Sequence, residues 1–343
     1  MSTAGLPAVD VLIVTALAEE QTAILEILEG SATGRYLGRD VSTATVNDLR
    51  IAVESLRGMG NVGAAFTAAT LMAAWRASHL LLVGIAGGFG SAGVRPGDIV
   101  VPDQIVGYET ARLQAGGRQS RSEVYRPDFD LLTAATSVKP SEWAPPIRAH
   151  RPAGASAPRV HVGTILSGEK IIADGAVMDD LLRHWPRAVG VEMESLGSAL
   201  AAYRSGRRFL MIKGVSDLAD EAKDDRWRGY AAEAAARFAL AVLRRRPVSS
   251  AARPDDRTDL NVPGSTVLEI CWRLVEDWRK LARYFEVPLH DMARFDTGDE
   301  PMNLWDWLAV RRRLHELPAA LTFIGRKDLA DTMIRVVGTG DPV

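Results

Sequence analysis

Short apolar runs alternate with helical patterns over roughly the first 246 residues of the chain. The run Val-Leu-Ile-Val at 11–14 is typical of a strand buried on both faces, and helical spacing follows it over 18–28. Strands that alternate with helices indicate an α/β domain with a largely parallel sheet. Further strands are predicted over 51–53, 80–83, 98–101, 160–165 and 209–214, and further helices over 61–74, 194–204 and 230–244.

The remainder of the chain, from about residue 259, has helical patterning only. Proline and glycine break that pattern into at least four helices, which predicts a short helical bundle. Residues 247–258 contain Ser, Ala, Arg, Pro and Asp without apolar periodicity, so they are predicted to be a linker. The predicted organisation is therefore an α/β domain over 1–246, a linker over 247–258 and an all-α domain over 259–343. Apolar residues at helical spacing in the last part include Trp272, Val275, Leu281, Ala282 and Phe285.

Composition excludes several classes of protein. The formal net charge of −2 favours neither a nucleic-acid binder nor a protein of membrane surfaces. Cys271 is the single cysteine, which excludes an internal disulfide and a cysteine zinc cluster, and the six histidines lack metal-ligand spacing. We see neither a signal peptide nor an apolar run long enough to span a bilayer. A cytoplasmic protein without metal or organic cofactor is expected.

The chemistry of an α/β domain is expected where its strands end, because ligands bind beyond the carboxyl ends of parallel strands. The segments at those ends carry ionisable residues and glycines. Taken one at a time they have ordinary explanations: Asp217 fits a helix cap, Glu20 a solvated helix face, and Gly84 to Gly88 a tight turn between strand and helix. The segments are 15–20, 57–61, 84–89, 167–172, 192–195 and 216–220.

Six motifs in a fixed order connect these segments to a known family. They read TALAEE (15–20), GIAGG (84–88), GDIVV (97–101), SGEKII (167–172), VEMES (191–195) and SDLAD (216–220). Together they resemble the nucleoside phosphorylase superfamily, and within it the methylthioadenosine/S-adenosylhomocysteine nucleosidases, over about the first 245 residues. The resemblance implies a domain with a central mixed sheet that cleaves the N-glycosidic bond of an adenine nucleoside or nucleotide.

The resemblance also implies a role for particular residues. Asp217 matches the residue that protonates or hydrogen-bonds the leaving purine, and Glu20 the residue that activates the attacking water. Glu194 matches the carboxylate that holds the ribose hydroxyls, with Met193 packing on the sugar. Ile171 and Ile172 match the positions that flank the base, and Ala86 and Gly87 those where the backbone approaches the ligand. Glu192 is expected to support the sugar site or form part of it, and Ser216 is a further expected substrate contact.

The nucleophile could be water or phosphate. Glu19 and Glu20 follow the first strand, where a phosphorylase needs groups that bind an anion, so hydrolysis is favoured over phosphorolysis. Ile85 departs from the family pattern, which has serine there. Arg57 and Lys170 place positive charge near the predicted mouth, where they are possible contacts for a 5′-phosphate chain or simply surface residues. A nucleotide such as ATP is therefore a possible substrate beside a neutral thionucleoside.

The helical region resembles a death-domain-like or effector-associated module through Trp278 to Arg283, Leu304 to Leu308 and Leu321 to Leu329. That resemblance implies homotypic association, with Arg311 to Arg313 meeting Asp296, Asp299 and Glu300 of another copy; a stabilising cap is the alternative. An enzyme joined to such a module suggests a regulated effector of antiphage defence, working as a homo-oligomer. A catalytically silent nucleoside sensor that signals through the helical domain is the alternative from another class.

Overall fold

The computed structural model divides the chain into two compact units, Met1–Ala251 and Ala252–Val343. The division falls inside the predicted linker, most of which lies outside the described residues, as does Asp220. The predicted boundaries at 246 and 259 themselves stay predictions. The structure describes residues 6–36, 39–114, 117–152, 157–172, 174–219, 225–248, 262–293, 295–311 and 313–338.

A mixed sheet forms the centre of the first unit. Its strand β1 (Val11–Thr15) is buried along its whole length, because its apolar side chains can be covered on both faces of the sheet. It pairs in parallel with β4 on one side and β5 on the other. β2, β3 and β4 form an antiparallel extension. The other strands of this sheet are β2 (Ala32–Tyr36), β3 (Arg39–Val46), β4 (Leu49–Ser55), β5 (His79–Gly88), β6 (Ile99–Gly107), β9 (Val124–Tyr125), β10 (Val160–Ser167), β11 (Ala188–Glu192) and β12 (Arg208–Asp217), while β7 (Ala111–Gln114) and β8 (Gly117–Ser120) pair in a separate two-stranded sheet.

Five of these strands close into a ring. The order β11-β10-β6-β12-β5 is completed because β11 returns to pair with the far end of β5. That last pairing is antiparallel and joins Gly88 to Gly190 and Gly87 to Val191. β12 bridges β5 in parallel and β6 in antiparallel orientation. The sheet is thus mixed, as the family resemblance implied, and several strand ends converge on one region.

Helices cover this sheet at closely packed positions. Gly214 in β12 lies against α7, where an added Cβ would stand 2.0 Å from the carbonyl oxygen of Ala231. Gly197 in α6 similarly lies against α2, 2.0 Å from the carbonyl oxygen of Asn61. Both positions exclude any side chain. The helices of this unit are α1 (Ala18–Ile27), α2 (Asn61–Ala74), α3 (Phe129–Ser137), α4 (Pro140–Trp143), α5 (Gly175–His184), α6 (Ser195–Arg204) and α7 (Arg228–Arg244), with short 3₁₀ turns at Gly90–Ala92 and Asp225–Trp227.

One local prediction is wrong. Gly84 to Gly88 were expected to form a turn after the strand, but β5 continues through them to Gly88. The glycines instead permit close approach: a Cβ at Gly84 would lie 2.2 Å from the Glu20 carboxylate, and one at Gly88 2.7 Å from Val94. The missing side chain at Gly84 lets β5 pass directly beneath the Glu20 carboxyl group.

The second unit is a helical bundle, as predicted. Its core contains the predicted Leu281, Ala282 and Phe285, but Trp272 and Val275 are 72% and 62% exposed rather than buried. The helices are α8 (Gly264–Arg273), α9 (Trp278–Tyr284), α10 (Leu289–Met292), α11 (Glu300–Val310), α12 (Leu317–Phe323) and α13 (Lys327–Gly338), with a 3₁₀ turn at Leu314–Glu316.

The arginine face of the bundle is engaged within its own unit. Arg313 binds Glu316 through two hydrogen bonds of 2.9 and 2.8 Å, and Arg311 stacks over the Trp307 ring at 4.0 Å. Arg312 lies outside the described residues. Across the part of the chain that the structure describes, no helix has the length and apolarity to cross a membrane.

Candidate active site

A cavity of about 240 Å³ lies where the ends of β1, β5, β11 and β12 converge in the first unit. Segments that are far apart in sequence meet there, as expected at the carboxyl ends of parallel strands. Eleven of the twelve predicted site residues line it. They are Glu20, Ala86, Gly87, Lys170, Ile171, Ile172, Glu192, Met193, Glu194, Ser216 and Asp217, joined by Ala16, Leu17, Met59, Ile85, Val191, Lys213, Ala219 and Arg228.

Glu20 is buried in the first turn of α1, with 2% of its surface exposed. Its Oε2 accepts hydrogen bonds of 2.9 Å from the backbone N–H groups of Ala16 and Leu17. Its Oε1 accepts a third, of 2.8 Å, from the backbone of Ile85. The carboxylate is thus fixed between the end of β1 and the glycine-lined part of β5, which contradicts the alternative of a solvated helix face.

Burial raises the pKa of Glu20, and the nearby Lys213 charge and the backbone hydrogen bonds oppose that rise only in part. A carboxylate with a raised pKa is a stronger base than one in water. Because Glu20 also faces the cavity, it can accept a proton from a bound water molecule. The position suits general-base chemistry.

The turn between β11 and α6 holds two buried carboxylates with different tasks. Glu192 accepts hydrogen bonds from the backbone N–H groups of Glu194 (2.9 Å) and Ser195 (2.8 Å) and from the Ser195 hydroxyl (2.6 Å). These bonds fix the start of α6. Glu194 extends across the site, where its Oε1 accepts from the Gly60 backbone at 3.4 Å. Its Oε2 accepts from the Lys213 ammonium at 3.1 Å. Glu192 therefore positions Glu194, although it also contributes to the cavity lining.

Lys213 is a site residue that the sequence reasoning missed. It lies in the middle of β12, is 1% exposed and lines the cavity. Burial alone lowers its pKa, but the charges of Glu194, Glu20 and Glu192 outweigh burial and raise it above the ordinary value. The three neighbouring carboxylates therefore favour the charged ammonium form of Lys213. The signal available in the sequence was Lys213 itself, a charged residue that directly follows the apolar run Phe-Leu-Met-Ile within a predicted strand.

Asp217 ends β12 at the cavity wall. Its Oδ1 accepts a 2.9 Å hydrogen bond from the Ala219 backbone, and the Ser216 hydroxyl donates to its Oδ2 at 2.9 Å. The same hydroxyl lies 3.4 Å from the carbonyl oxygen of Ala86. Gly87 borders the group closely, since an added Cβ would lie 3.4 Å from Oδ1 and 2.9 Å from the Ala219 side chain. Asp217 caps no helix among the described residues.

The segment after β10 supplies the outer wall of the cavity. Ile172 is buried in an apolar cluster with Phe89 and Tyr108, whereas Ile171 is exposed at the mouth. Lys170 also lines the cavity, and its ammonium binds Glu109 at 2.5 Å. Residue 173 lies outside the described residues.

Arg57 is the one predicted site residue that the structure does not bring to this cavity. It is exposed, with a backbone φ of 59°, and lines a neighbouring groove along α2. Another cation, Arg228 at the start of α7, lines the cavity instead. In the described ranges no group of three or more His, Cys, Asp or Glu side chains is arranged to hold a metal ion.

The model of the phosphorylase superfamily matches residues 10–244, and that of bacterial death-like domain 3 matches residues 264–335. The chain belongs to the phosphorylase superfamily and carries a bacterial death-like domain, which confirms both resemblances.

Among characterised relatives, ATP nucleosidase Cap17 of Escherichia coli (strain KTE188) is 30% identical over 199 residues, which is 54% of this chain and 39% of that protein. The chain thus matches well under half the length of this relative. The 5′-methylthioadenosine/S-adenosylhomocysteine nucleosidase of Chromohalobacter salexigens is 24% identical over 68% of this chain and 94% of its own length. A solved structure of the corresponding enzyme from Neisseria meningitidis, bound to methylthio-immucillin-A, aligns with a TM-score of 0.55 and 23% identity. It covers 68% of this chain and 98% of its own.

Proposed function

We propose that the first unit is a hydrolase that cleaves the N-glycosidic bond of an adenine nucleoside or nucleotide and releases adenine. The observation that carries this proposal is the assembly of Glu20, Glu194 and Asp217 around one cavity. The relatives support it, since they include an ATP nucleosidase and a methylthioadenosine/S-adenosylhomocysteine nucleosidase.

In the proposed reaction the bond between the anomeric carbon and the purine breaks while water adds to that carbon. Glu20 accepts one proton from the water, and Asp217 donates a proton or hydrogen bond to the leaving base. Glu194 binds the ribose hydroxyls and stabilises the positive charge that develops on the sugar. Met193, half-buried beside Glu194, packs against the ribose.

Hydrolysis is favoured over phosphorolysis by the direction of the hydrogen bonds around Glu20. The backbone N–H groups of Ala16, Leu17 and Ile85 all end on its carboxylate. Those donors are therefore engaged with a resident negative charge rather than offered to an anion. Ile85, where the family pattern has serine, contributes a backbone N–H to this set and no side-chain donor. A water molecule is the nucleophile that fits this setting.

We also propose, from the positions of the residues that line the cavity, where the base and the sugar of the substrate bind. Asp217 with Gly87 and Ala86 receives the purine edge, and Ile171 and Ile172 flank the ring. Lys170 is a possible contact for a phosphate chain, whereas Arg57 would need a substrate long enough to reach the neighbouring groove.

We propose further that the helical unit assembles copies of the chain, as part of an effector in antiphage defence. The death-like family match supports this role. So does an exposed apolar stripe formed by Leu268, Trp272 and Val275, whose spacing of four and three residues places them on one side of α8 and its end.

Association through the first unit is a second route to a homo-oligomer. α2 presents Val62 and Phe66 to solvent beside the exposed Met59 of the cavity lining. Large exposed apolar side chains next to a pocket are typical of protein interfaces. A cytoplasmic location stays a prediction from the sequence.

The decisive experiment incubates the purified full-length protein with adenosine, methylthioadenosine, S-adenosylhomocysteine and ATP, with and without phosphate, and detects free adenine. Asp217→Asn runs alongside. We expect release without phosphate and a loss of about 10²–10⁴-fold in the variant, the range that one general acid contributes. Strict dependence on phosphate would identify a phosphorylase, and binding without turnover would identify a silent sensor.

A further inference from the structure

Arg228 lies at the start of α7 and lines the cavity, yet it has no part in the reaction described above. Its Nε donates a 2.9 Å hydrogen bond to Oε1 of Glu19, and its Nη2 donates to the same oxygen. Its Nη1 lies 3.6 Å from Asp225. The guanidinium is thus held by an acidic partner 209 positions away in sequence.

This contact places the guanidinium beside the reacting side of the cavity. Glu19 immediately precedes Glu20 in the first turn of α1. The hydrogen bond to Glu19 raises the pKa of Arg228, with smaller contributions from the charges of Asp225 and Glu20. Arg228 and Glu20 are therefore close enough for their charges to interact.

Among the cations that line the cavity in the described residues, Arg228 is the best placed to meet an anionic ligand. Lys213 is 1% exposed and committed to Glu194. Lys170 is 73% exposed on a flexible stem, so fixing it on a ligand would cost side-chain entropy. Arg228 is 31% exposed, which leaves it reachable and yet supported by protein.

The chemistry of the side chain fits a phosphate. A guanidinium presents several N–H donors in a rigid plane that matches carboxylate and phosphate oxygens equally well. With the base at Asp217 and the ribose hydroxyls at Glu194, the 5′ carbon is the substituent that leads away from both. The lining residues to which no contact with the base or the ribose has been assigned include Leu17, Met59 and Arg228.

We propose that Arg228 is a specificity-determining residue that binds a phosphate group at the 5′ position of the substrate, replacing Glu19 with phosphate oxygens. The substrate class is then the adenosine 5′-phosphates rather than neutral thionucleosides. This inference rests on the proposed orientation of a nucleoside in the cavity.

Glu19 has an opposing effect in this scheme. Its negative charge competes with phosphate for Arg228, and like charges near the ligand weaken its binding. Glu19→Gln removes the charge but keeps an amide oxygen that can accept from the guanidinium. The two variants should therefore change nucleotide preference in opposite directions.

The test measures equilibrium binding of ATP and of adenosine to the full-length chain by calorimetry, with Glu20→Gln in every protein to prevent turnover. Arg228→Gln should lower the ratio of ATP affinity to adenosine affinity by about tenfold or more, as expected for loss of a charge-assisted hydrogen bond. Glu19→Gln should raise that ratio severalfold. The matched control is Arg183→Gln, which removes an exposed arginine paired with Asp180 on α5, outside the cavity lining.

Each result decides the question. A ratio that Arg228→Gln leaves unchanged, a lack of ATP binding by the Glu20→Gln protein, or an equal shift in Arg183→Gln would overturn the proposal. Adenine release is measured separately, without the Glu20 substitution. If no substrate is cleaved but Arg228→Gln still lowers the affinity ratio, the hydrolase proposal fails while the phosphate site stands.

Discussion

The two units of this chain place charge and apolar surface in opposite ways. The first buries Glu20, Glu192, Glu194 and Lys213 together around a cavity. In the described part of the second unit, Thr266 is the one buried polar side chain, and the ion pairs are partly or largely exposed to solvent. The second unit instead exposes large apolar residues, Trp272 foremost.

This difference reflects what each arrangement can do. Burying several carboxylates is unfavourable, because each loses its hydration and the like charges repel one another. Such a cluster is typical of sites where ionised groups act on a ligand. An apolar stripe left in water is also unfavourable, and a partner that covers it removes that cost. This difference supports the proposals that the first unit carries the chemistry and that the second unit mediates association.

The largest effect on stability is expected from Lys213→Met. Removal of the ammonium leaves the carboxylates of Glu194, Glu20 and Glu192 without their buried counter-charge. Loss of one partner of a buried charge cluster costs about 3–5 kcal/mol. Urea unfolding, with hydrogen–deuterium exchange to follow each unit separately, measures the loss in the first unit.

The matched variant in the second unit is Arg326→Met. Arg326 pairs with Asp277 at 3.2 Å and Asp328 at 3.1 Å, both partly exposed. Pairs near the surface contribute about 0–1 kcal/mol each, so the second unit should lose much less stability than the first loses in Lys213→Met. Equal losses of unfolding free energy in the two variants would show that the buried charges of the first unit contribute no more to stability than the partly exposed pairs of the second.

The next effect is a shift in the pH dependence of turnover. Because burial raises the pKa of Glu20, this proposed base becomes protonated at a higher pH than an ordinary carboxylate with a pKa of 4.5. We expect kcat/KM for adenine release to fall, as the pH is lowered, along a limb that lies above that value. A limb at or below pH 4.5 would argue against Glu20 as the base.

The control for that pH profile is a measurement of whether the first unit stays folded over the same pH range. A carboxyl group whose folded-state pKa is raised favours the folded state when protonated, and this contribution is lost as the pH rises through the folded-state pKa. Glu20 and Glu192 both have raised pKa values, chiefly through burial. Their protonation on acidification therefore does not destabilise the first unit, and circular dichroism across the same pH range should show a retained fold.

The smallest effect on stability is expected from Trp272→Glu. The side chain is 72% exposed, so the unfolding free energy should change by less than about 1 kcal/mol. Self-association measured by light scattering should nevertheless weaken, because a charge enters the centre of the apolar stripe. Arg283→Glu, an exposed position on α9, is the control for adding negative charge. Unchanged association in Trp272→Glu would remove this stripe as the contact between copies.

Local patterns predicted much of the architecture. The apolar run predicted as a strand at 11–14 lies in the buried strand Val11–Thr15, and the helix predicted over 61–74 has those bounds. Strands β2 and β3 were not predicted, because their polar sequences carry no apolar run. The turn predicted at Gly84 to Gly88 is a strand. Its glycines make room for neighbouring side chains, Glu20 at Gly84 and Val94 at Gly88, rather than reverse the chain.

The sequence by itself determined the main alternation of strands and helices and the family motifs, because each depends on local periodicity or on residues close together in the chain. The expectation that the carboxylates of those motifs share one site came from the family resemblance. Only the tertiary structure decided that Glu20 is buried, that Lys213 binds Glu194 and places a positive charge near Glu20, and that Arg228 binds Glu19. Those properties depend on burial and on charges brought together from distant segments. Desolvation and Coulomb interaction vary with distance in space, which a linear pattern of residues does not contain.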